Sequence, residues 1–326
     1  MTTVVTGGAG FLGSHLVDAL IARGERVLVL DDLSTGRTEN LKGALAGGRA
    51  SLIELDVAVD ATHLREALRA GEAERVRFIY HLASPASPEA YHADPWGTLA
   101  VNALGTMSLI EVALEHSARF VFSSTSEVYG DPLVHPQPES YFGNVDPIGP
   151  RSCYDEGKRF AEAAIAAAVR ARGLDARIVR FFNCYGPRMA DGDGRLVPEL
   201  VGALLAGRPM PIQGTGKQTR SMTYIEDAVG LLLKVVAAPL TGLDPVNVGN
   251  DDERSVEDIA RALASVVGVP YDAEHVAARE GDPQRRRPDL TRARGLGWAP
   301  TTQLEQGLRT TYDWFAARVP AQITSS

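Results

Sequence analysis

The sequence predicts an α/β protein: a doubly wound parallel sheet followed by a smaller C-terminal α/β part. Three observations predict it. A β-branched run, Thr2–Thr6, leads into a glycine-rich turn and then a stretch with one apolar helical face. Unbroken apolar runs such as Val27–Leu30 and Phe120–Phe122 read as strands buried on both faces of a parallel sheet. Strand-like and helix-like segments then alternate as far as Phe181, the pattern of successive crossovers onto one sheet.

In the turn, Gly7, Gly10 and Gly13 are spaced three apart, and the helix runs from Phe11 to about Arg23 with Leu12, Leu16, Ala19 and Leu20 on one face. Glycines there let the backbone approach a pyrophosphate, and the helix N-terminus presents free N–H groups to it. Asp31 and Asp32 end the next strand, roughly 20 residues beyond the glycines, where an acid suits a ribose 2′-hydroxyl. An acid repels a 2′-phosphate, so NAD is favoured over NADP, with Arg37 close by keeping NADP open. Ser51–Leu55 is the following strand, and Asp56 at its end can approach the adenine. Ala61–Ala70 reads as a helix and Val76–Tyr80 as a strand entering the small-residue segment His81–Pro88, which leaves room for a ligand. Thr98–His116 reads as a long helix. After Phe122 come Ser123–Gly130, a hydroxyl cluster with one carboxylate, Glu127, fit for holding a substrate and for acid–base work. Asp131–Pro150 is rich in proline and glycine and reads as an ordered loop lining the site.

A helix then carries Tyr154 and Lys158 to about Arg172. Four residues apart, they share a face. An ammonium beside a phenol favours the phenolate, a base for a sugar hydroxyl. The pair alone also fits chance on an amphipathic helix; its context argues for chemistry. Arg177–Phe181 is a strand ending near Asn183. From Cys184 on, loops bearing Arg188, Arg195 and Arg220 suit a diphosphate. Val197–Ala206, Ser255–Val267 (N-capped by Ser255) and Leu304–Ala317 read as helices. Thr223–Ala237 is a short strand and a helix returning to the first domain, and Val246–Gly249 is a strand. The expected division is residues 1–183 plus about 219–250 for the cofactor and about 184–218 plus 251–326 for the substrate. Arg285–Arg287 form either a solvated face or the anion end of a pocket, and the tail Pro320–Ser326 is expected to fray.

With 326 residues the chain has ample length for a large core, and its formal net charge of −8 disfavours non-specific nucleic-acid binding. Cys153 and Cys184 lack metal-ligand spacing, so no metal is expected, and so few cysteines fit a reduced, cytoplasmic setting. Thr2–Thr6 reads as a strand and not a signal peptide; no apolar run looks long enough to span a bilayer, so no membrane role is expected.

Gly7-x-x-Gly10-x-x-Gly13 together with Tyr154-x-x-x-Lys158 resembles the extended short-chain dehydrogenase/reductase superfamily, with its Rossmann-type sheet. Four stretches, His81–Pro88, Thr125–Asp131, Gly143–Arg159 and Asp282–Asp289, resemble one family within it, the nucleotide-sugar glucuronate decarboxylases (UDP-xylose synthases). The likeness runs from Thr2 to about Phe315.

The resemblance implies Tyr154 as the base at sugar C4, with Lys158 lowering its pKa and holding the nicotinamide ribose. It implies Thr125 near O4, Glu127 at the carboxylate step, and Arg286 as proton donor or carboxylate partner. NAD contacts are expected from the glycine turn with Phe11 and Leu12, from Asp31, Asp32, Ser34, Thr35 and Gly36, from Asp56 and Val57, and from Leu82, Ala83 and Ser84. Substrate contacts are expected from Pro85, Ser126, Arg151, Asn183, Arg195, Gln213, Arg220 and Arg286. The implied reaction oxidises C4 with NAD, loses carbon dioxide from C6 through a 4-keto intermediate, protonates C5 and returns the hydride. The related 4,6-dehydratases carry an aspartate where this chain has Ser126, which disfavours dehydration. Gln213, where the family often has tyrosine, and Ala190–Asp193, which also departs from its pattern, leave UDP and dTDP both open as the nucleotide. The remaining alternatives are a 4-epimerase and a non-catalytic NAD and nucleotide-sugar binder. A homodimer through the helices beginning near Thr98 and Arg151 is implied as well.

Overall fold

The computed structural model describes residues 1–278 and 284–319. Asp282 and Pro283 of the arginine motif and the tail 320–326 lie outside the described residues.

Among the described residues, seven parallel strands form one sheet: β1 (Thr2–Thr6), β2 (Arg26–Asp31), β3 (Ala50–Glu54), β4 (Val76–His81), β5 (Arg119–Thr125), β6 (Ala176–Phe181) and β7 (Val246–Val248). Their order is β7-β6-β5-β4-β1-β2-β3. The winding therefore reverses between β1 and β4, where Thr6 is paired with His81. A ligand crevice opens at the C-terminal strand ends of such a reversal. Neighbouring residues divide the two faces: Val5, Val29 and Val121 pack in one core, Val4, Leu28 and Phe120 in the other. The first core continues without a break into Leu200, Ile259, Leu308 and Phe315 of the C-terminal part.

The principal helices are α1 (Phe11–Ala22), α2 (Ala61–Ala70), α3 (Pro95–His116), α4 (Ser152–Arg172), α5 (Leu196–Leu205), α6 (Ile225–Ala237), α7 (Val256–Val267) and α8 (Leu304–Ala316). Local chemistry sets their ends. Ser255 accepts the Asp258 N–H at 3.0 Å and starts α7; Asp60 accepts the Thr62 N–H at 2.8 Å and starts α2. α4 stops at Gly173, whose φ of +70° suits a residue without a side chain.

Three expectations need correction. The helix expected from Thr98 begins at Pro95, with Asp94 accepting the Gly97 N–H at 2.9 Å, and its turn Val101–Gly105 widens to π geometry. That helix, 22 residues long, is long and apolar enough to cross a membrane by length and composition; here it packs against α2, α4 and β4 as a core helix. The loop 131–150 contributes no lining residue to the main cleft. It runs instead behind the residues that do, pairing Gly130 with Asn144 and Gln137 with Pro288.

Beyond the sheet, Thr219–Ser221 pairs antiparallel with Glu253–Ser255 and parallel with Arg285–Arg286. Met210–Gln213 pairs with Ala273–Val276. These short strands depend on partners far away in sequence, so no local pattern announces them.

Candidate active site

A cleft of about 1320 Å³ lies across the strand ends. Every residue expected from the sequence to touch cofactor or substrate lines it. At one end the three glycines hold β1, α1 and the β4 loop together. Gly7 has φ +69°, and a Cβ there would stand 2.7 Å from the Ala83 nitrogen; one on Gly13 would stand 2.1 Å from the Gly7 oxygen. Gly10 differs: a Cβ would meet only the Gly7 oxygen, at 3.3 Å, and otherwise reach into the cleft. It caps α1 without a side-chain hydrogen bond, so the helix N-terminus faces the cleft bare. That is the cradle a dinucleotide diphosphate needs. Asp31 accepts the N–H groups of Ala9 (2.8 Å) and Leu33 (2.9 Å), fixing the glycine turn. Asp32 accepts the Ser34 N–H (3.0 Å) and hydroxyl (2.7 Å). Both carboxylates line the cleft beside the glycine turn, and the residues present fit NAD.

At the middle of the cleft, α4 presents Tyr154 and Lys158. Tyr154 is hydrogen-bonded by Thr125 and stacked on Tyr91, centroids 5.3 Å apart and planes 11° from parallel. Lys158 donates to the Ser123 carbonyl at 2.9 Å and lies 5.8 Å from the Tyr154 ring centroid. Lys158 stands beside Tyr154 as the spacing predicts, but burial dominates the tyrosine's titration. Burial raises Tyr154 well above its ordinary value, the Thr125 hydrogen bond opposes this, and Glu127, Asp155 and Tyr91 add to the rise. Burial also lowers Lys158, to about 7, against the pull of Glu162. A dry site penalises both charged forms. His81 is likewise neutral, lowered to about 3 by burial and by Lys158. Its Nδ1 lies 2.8 Å from the Thr6 hydroxyl.

The third group surrounds Glu127 in the 3₁₀ turn Ser126–Tyr129. Arg286 grips it with two bonds, Nη1 to Oε1 at 2.5 Å and Nη2 to Oε2 at 2.8 Å, and Arg151 Nη2 donates to Oε2 at 2.6 Å. Burial would raise this carboxyl, but Arg286, Arg151 and Arg220 outweigh it and hold Glu127 below the usual carboxylate range. Asp155, 3.9 Å from the Arg151 Nε, goes the other way: burial and then Glu127 raise it to about 7. The arginine triplet resolves by strand alternation. Arg286 is buried while Arg285 faces solvent.

The arginine-rich loops enter at the far end. Arg195 is bound to Asp193 through Nε at 2.7 Å and lies over Phe11; Arg188 bonds Asp18 at 2.7 Å. Asn183 Oδ1 is 3.4 Å from Arg286 Nη1, and Gln213 lines the same cleft, its backbone carbonyl accepting from Gln218 Nε2 at 2.7 Å. Sequence reasoning missed Tyr91, Asn102 and Asp155. Tyr91 sits on a six-residue helix, Pro88–Ala93, too short to show periodicity. Asn102 lies in the π turn and donates to the Ser84 hydroxyl at 2.9 Å. Asp155, adjacent to Tyr154, is recognisable only once its burial is known. The last helix also adds Trp314, with Arg318 stacked on it at 3.4 Å. Among the described residues there is no cluster of metal-ligating side chains.

A family model described as the NAD dependent epimerase/dehydratase family matches residues 3–249. The chain belongs to this family. Within it, the chain is 41% identical over 323 residues to UDP-glucuronic acid decarboxylase 1 of Xenopus tropicalis, covering 99% of this chain and 74% of that protein. It is 44% identical over 317 residues to UDP-glucuronic acid decarboxylase 1 of Arabidopsis thaliana, covering 97% and 70%. Among solved structures it resembles UDP-glucose 4-epimerase from Thermotoga maritima (TM-score 0.87, 30% identity, 97% of this chain and 99% of that). It equally resembles the dTDP-glucose 4,6-dehydratase of Streptomyces venezuelae with NAD bound (TM-score 0.86, 30% identity, 98% of each chain). This extended short-chain dehydrogenase/reductase is thus an enzyme of the nucleotide-sugar decarboxylase and epimerase kind, and NAD is the cofactor its family uses.

Proposed function

We propose that the protein decarboxylates UDP-glucuronate to UDP-xylose through a 4-keto sugar, with NAD restored at the end of each turnover. The observation that carries the reading is the buried Glu127 clasped by Arg286 and Arg151 next to Tyr154. Three guanidinium groups act on Glu127, while the nearby Asp155 holds a proton up to about pH 7. The balance favours an anionic sugar over a neutral one.

Bound NAD supplies the hydride acceptor and donor for C4 and a positive charge that favours the phenolate of Tyr154. Tyr154, hydrogen-bonded by Thr125, takes the O4 proton; Lys158 holds the ribose and steadies the charge. The resulting C4 ketone is β to the C6 carboxylate. The C5–C6 bond breaks, its electron pair flows to the C4 oxygen as an enolate, and carbon dioxide leaves. Tyr154 and Thr125 stabilise that oxygen. Arg286 and Arg151 orient the carboxylate beforehand; C5 then takes a proton that comes from solvent water, and Tyr154 gives its own proton back to O4 as C4 is reduced. Ser126, Asn183, Gln213 and Arg220 bind sugar and nucleotide.

UDP is preferred because the decarboxylase relatives carry it in their names; dTDP is the rival. The strong likeness to a UDP-glucose 4-epimerase supports a second reading, inversion at C4 without loss of carbon. Product mass separates them. Purified protein is given UDP-glucuronate or dTDP-glucuronate, with and without added NAD. A pentose product supports decarboxylation, the faster substrate names the base, and an unchanged mass with inversion at C4 supports the epimerase. A dimer through α3 and α4 is part of the proposal, supported by Leu104, Met107 and Phe160, apolar side chains exposed on these two helices.

A further inference from the structure

Three consecutive arginines, Arg285–Arg287, are chemically interchangeable, yet only Arg286 reaches Glu127. Side chains in a strand alternate, so a slip of one residue replaces it with a neighbour. Pairing with Thr219–Ser221 guides one edge of this short strand. The other edge is met by Gln137, fully buried in a loop that never touches the cleft. Gln137 N donates to the Arg287 carbonyl at 2.9 Å, and its side-chain Oε1 accepts the Arg287 N–H at 2.9 Å. Its own carbonyl accepts the Asp289 N–H at 2.9 Å, and Nε2 is anchored on the Val134 carbonyl at 2.8 Å.

Asn247 of β7, also fully buried, closes the circuit. Its Nδ2 donates to the carbonyls of Gln137 (3.0 Å) and Asp289 (3.2 Å), and its Oδ1 accepts from the Tyr129 hydroxyl at 2.7 Å. Tyr129 ends the turn that holds Glu127. A ring of bonds thus runs from Glu127 through Arg286, Arg287, Gln137, Asn247 and Tyr129 back to Glu127.

We propose that Gln137 and Asn247 are positioning residues that set the register of the arginine strand, so that Arg286 and not a neighbour meets Glu127. The consequence for turnover rests on the decarboxylase reading; the register itself does not. Neither residue faces the reacting sugar, so their loss spares C4 oxidation by Tyr154 and impairs the loss of carbon dioxide and the protonation of C5.

The test replaces Gln137 by methionine, which keeps length and apolar volume, and by glutamate, which keeps the acceptor for the Arg287 N–H. In a single turnover with UDP-glucuronate, Gln137→Met forms reduced nicotinamide about as fast as the parent, while pentose formation falls on the order of 10- to 100-fold and 4-keto sugar is released. Gln137→Glu recovers part of the pentose. An equal loss in both steps, or no loss in either, overturns the proposal. Asn247→Asp, which keeps the acceptor for Tyr129 and gives up both donors, gives the same split if Gln137→Met does not fold. A crystal structure of whichever variant folds reads the register without reference to activity: Arg286 displaced from its two bonds to Glu127 supports the proposal, and Arg286 unmoved overturns it. A parent protein that yields no pentose refutes the decarboxylase reading separately, and the crystallographic arm then still decides the register.

Discussion

Burial in a dry pocket keeps the proton on Tyr154, and Glu127, Asp155 and the stacked Tyr91 add to this. The Thr125 hydrogen bond favours the phenolate, and a group that adds positive charge tips the balance further towards it. Tyr154→Phe therefore abolishes C4 oxidation, a loss on the order of 10²–10⁴-fold or more, while NAD remains bound; single-turnover absorbance and cofactor content check the two halves. Asp155 and Lys158 give the cofactor-free protein opposed pH dependences. Asp155 rises from 3.8 to about 7, so the folded state holds a proton that the unfolded chain has released. Its contribution to stability is complete at low pH and is lost as pH rises through about 7. Lys158 falls from 10.5 to about 7, so its contribution is present above 10.5 and lost as pH falls through about 7. Thermal melts of Asp155→Asn across the interval from 3.8 to about 7 should show a weaker fall in stability than the parent. An unchanged slope refutes the assignment. At this scale the sequence displayed Tyr154, Lys158, Glu127 and Arg286 through spacing and resemblance. It could not display the charge state of Tyr154, which depends on burial.

Elements with strong periodicity were legible almost to the residue. Ala61–Ala70 lies where its apolar spacing places it, and Ser255 caps α7 as its hydroxyl predicts. Ser255→Ala should lower stability by about 1 kcal/mol in denaturant unfolding, with turnover unchanged. The π turn in α3 was not legible: Asn102 and Gly105 are weak helix formers, but they do not by themselves mark an inserted residue. The loop 131–150 was misplaced for a physical reason. Its prolines and glycines mark irregular backbone, but whether such a loop faces a ligand or braces another segment depends on pairings across the chain, such as Gln137 with Pro288.

Across the whole molecule, one apolar core joins the sheet face under α1 and α6 to the C-terminal helices. The whole length of the cleft therefore shares a packed frame. The alternation of strands and helices made the sheet readable; the convergence of its residues on one cleft comes from the reversal at β1 and β4. The proposed dimer makes a prediction at this scale. Met107→Glu combined with Phe160→Glu should convert a dimer to a monomer by light scattering, and a parent protein that is already monomeric refutes the interface. The central claim is that C4 is oxidised and restored around the loss of C6. Its most direct test gives the enzyme UDP-glucuronate deuterated at C4, without added NAD, and reads the product by mass spectrometry. The account predicts a pentose product that has lost carbon dioxide and keeps its deuterium at C4; a six-carbon product, or a pentose without the label, would contradict it.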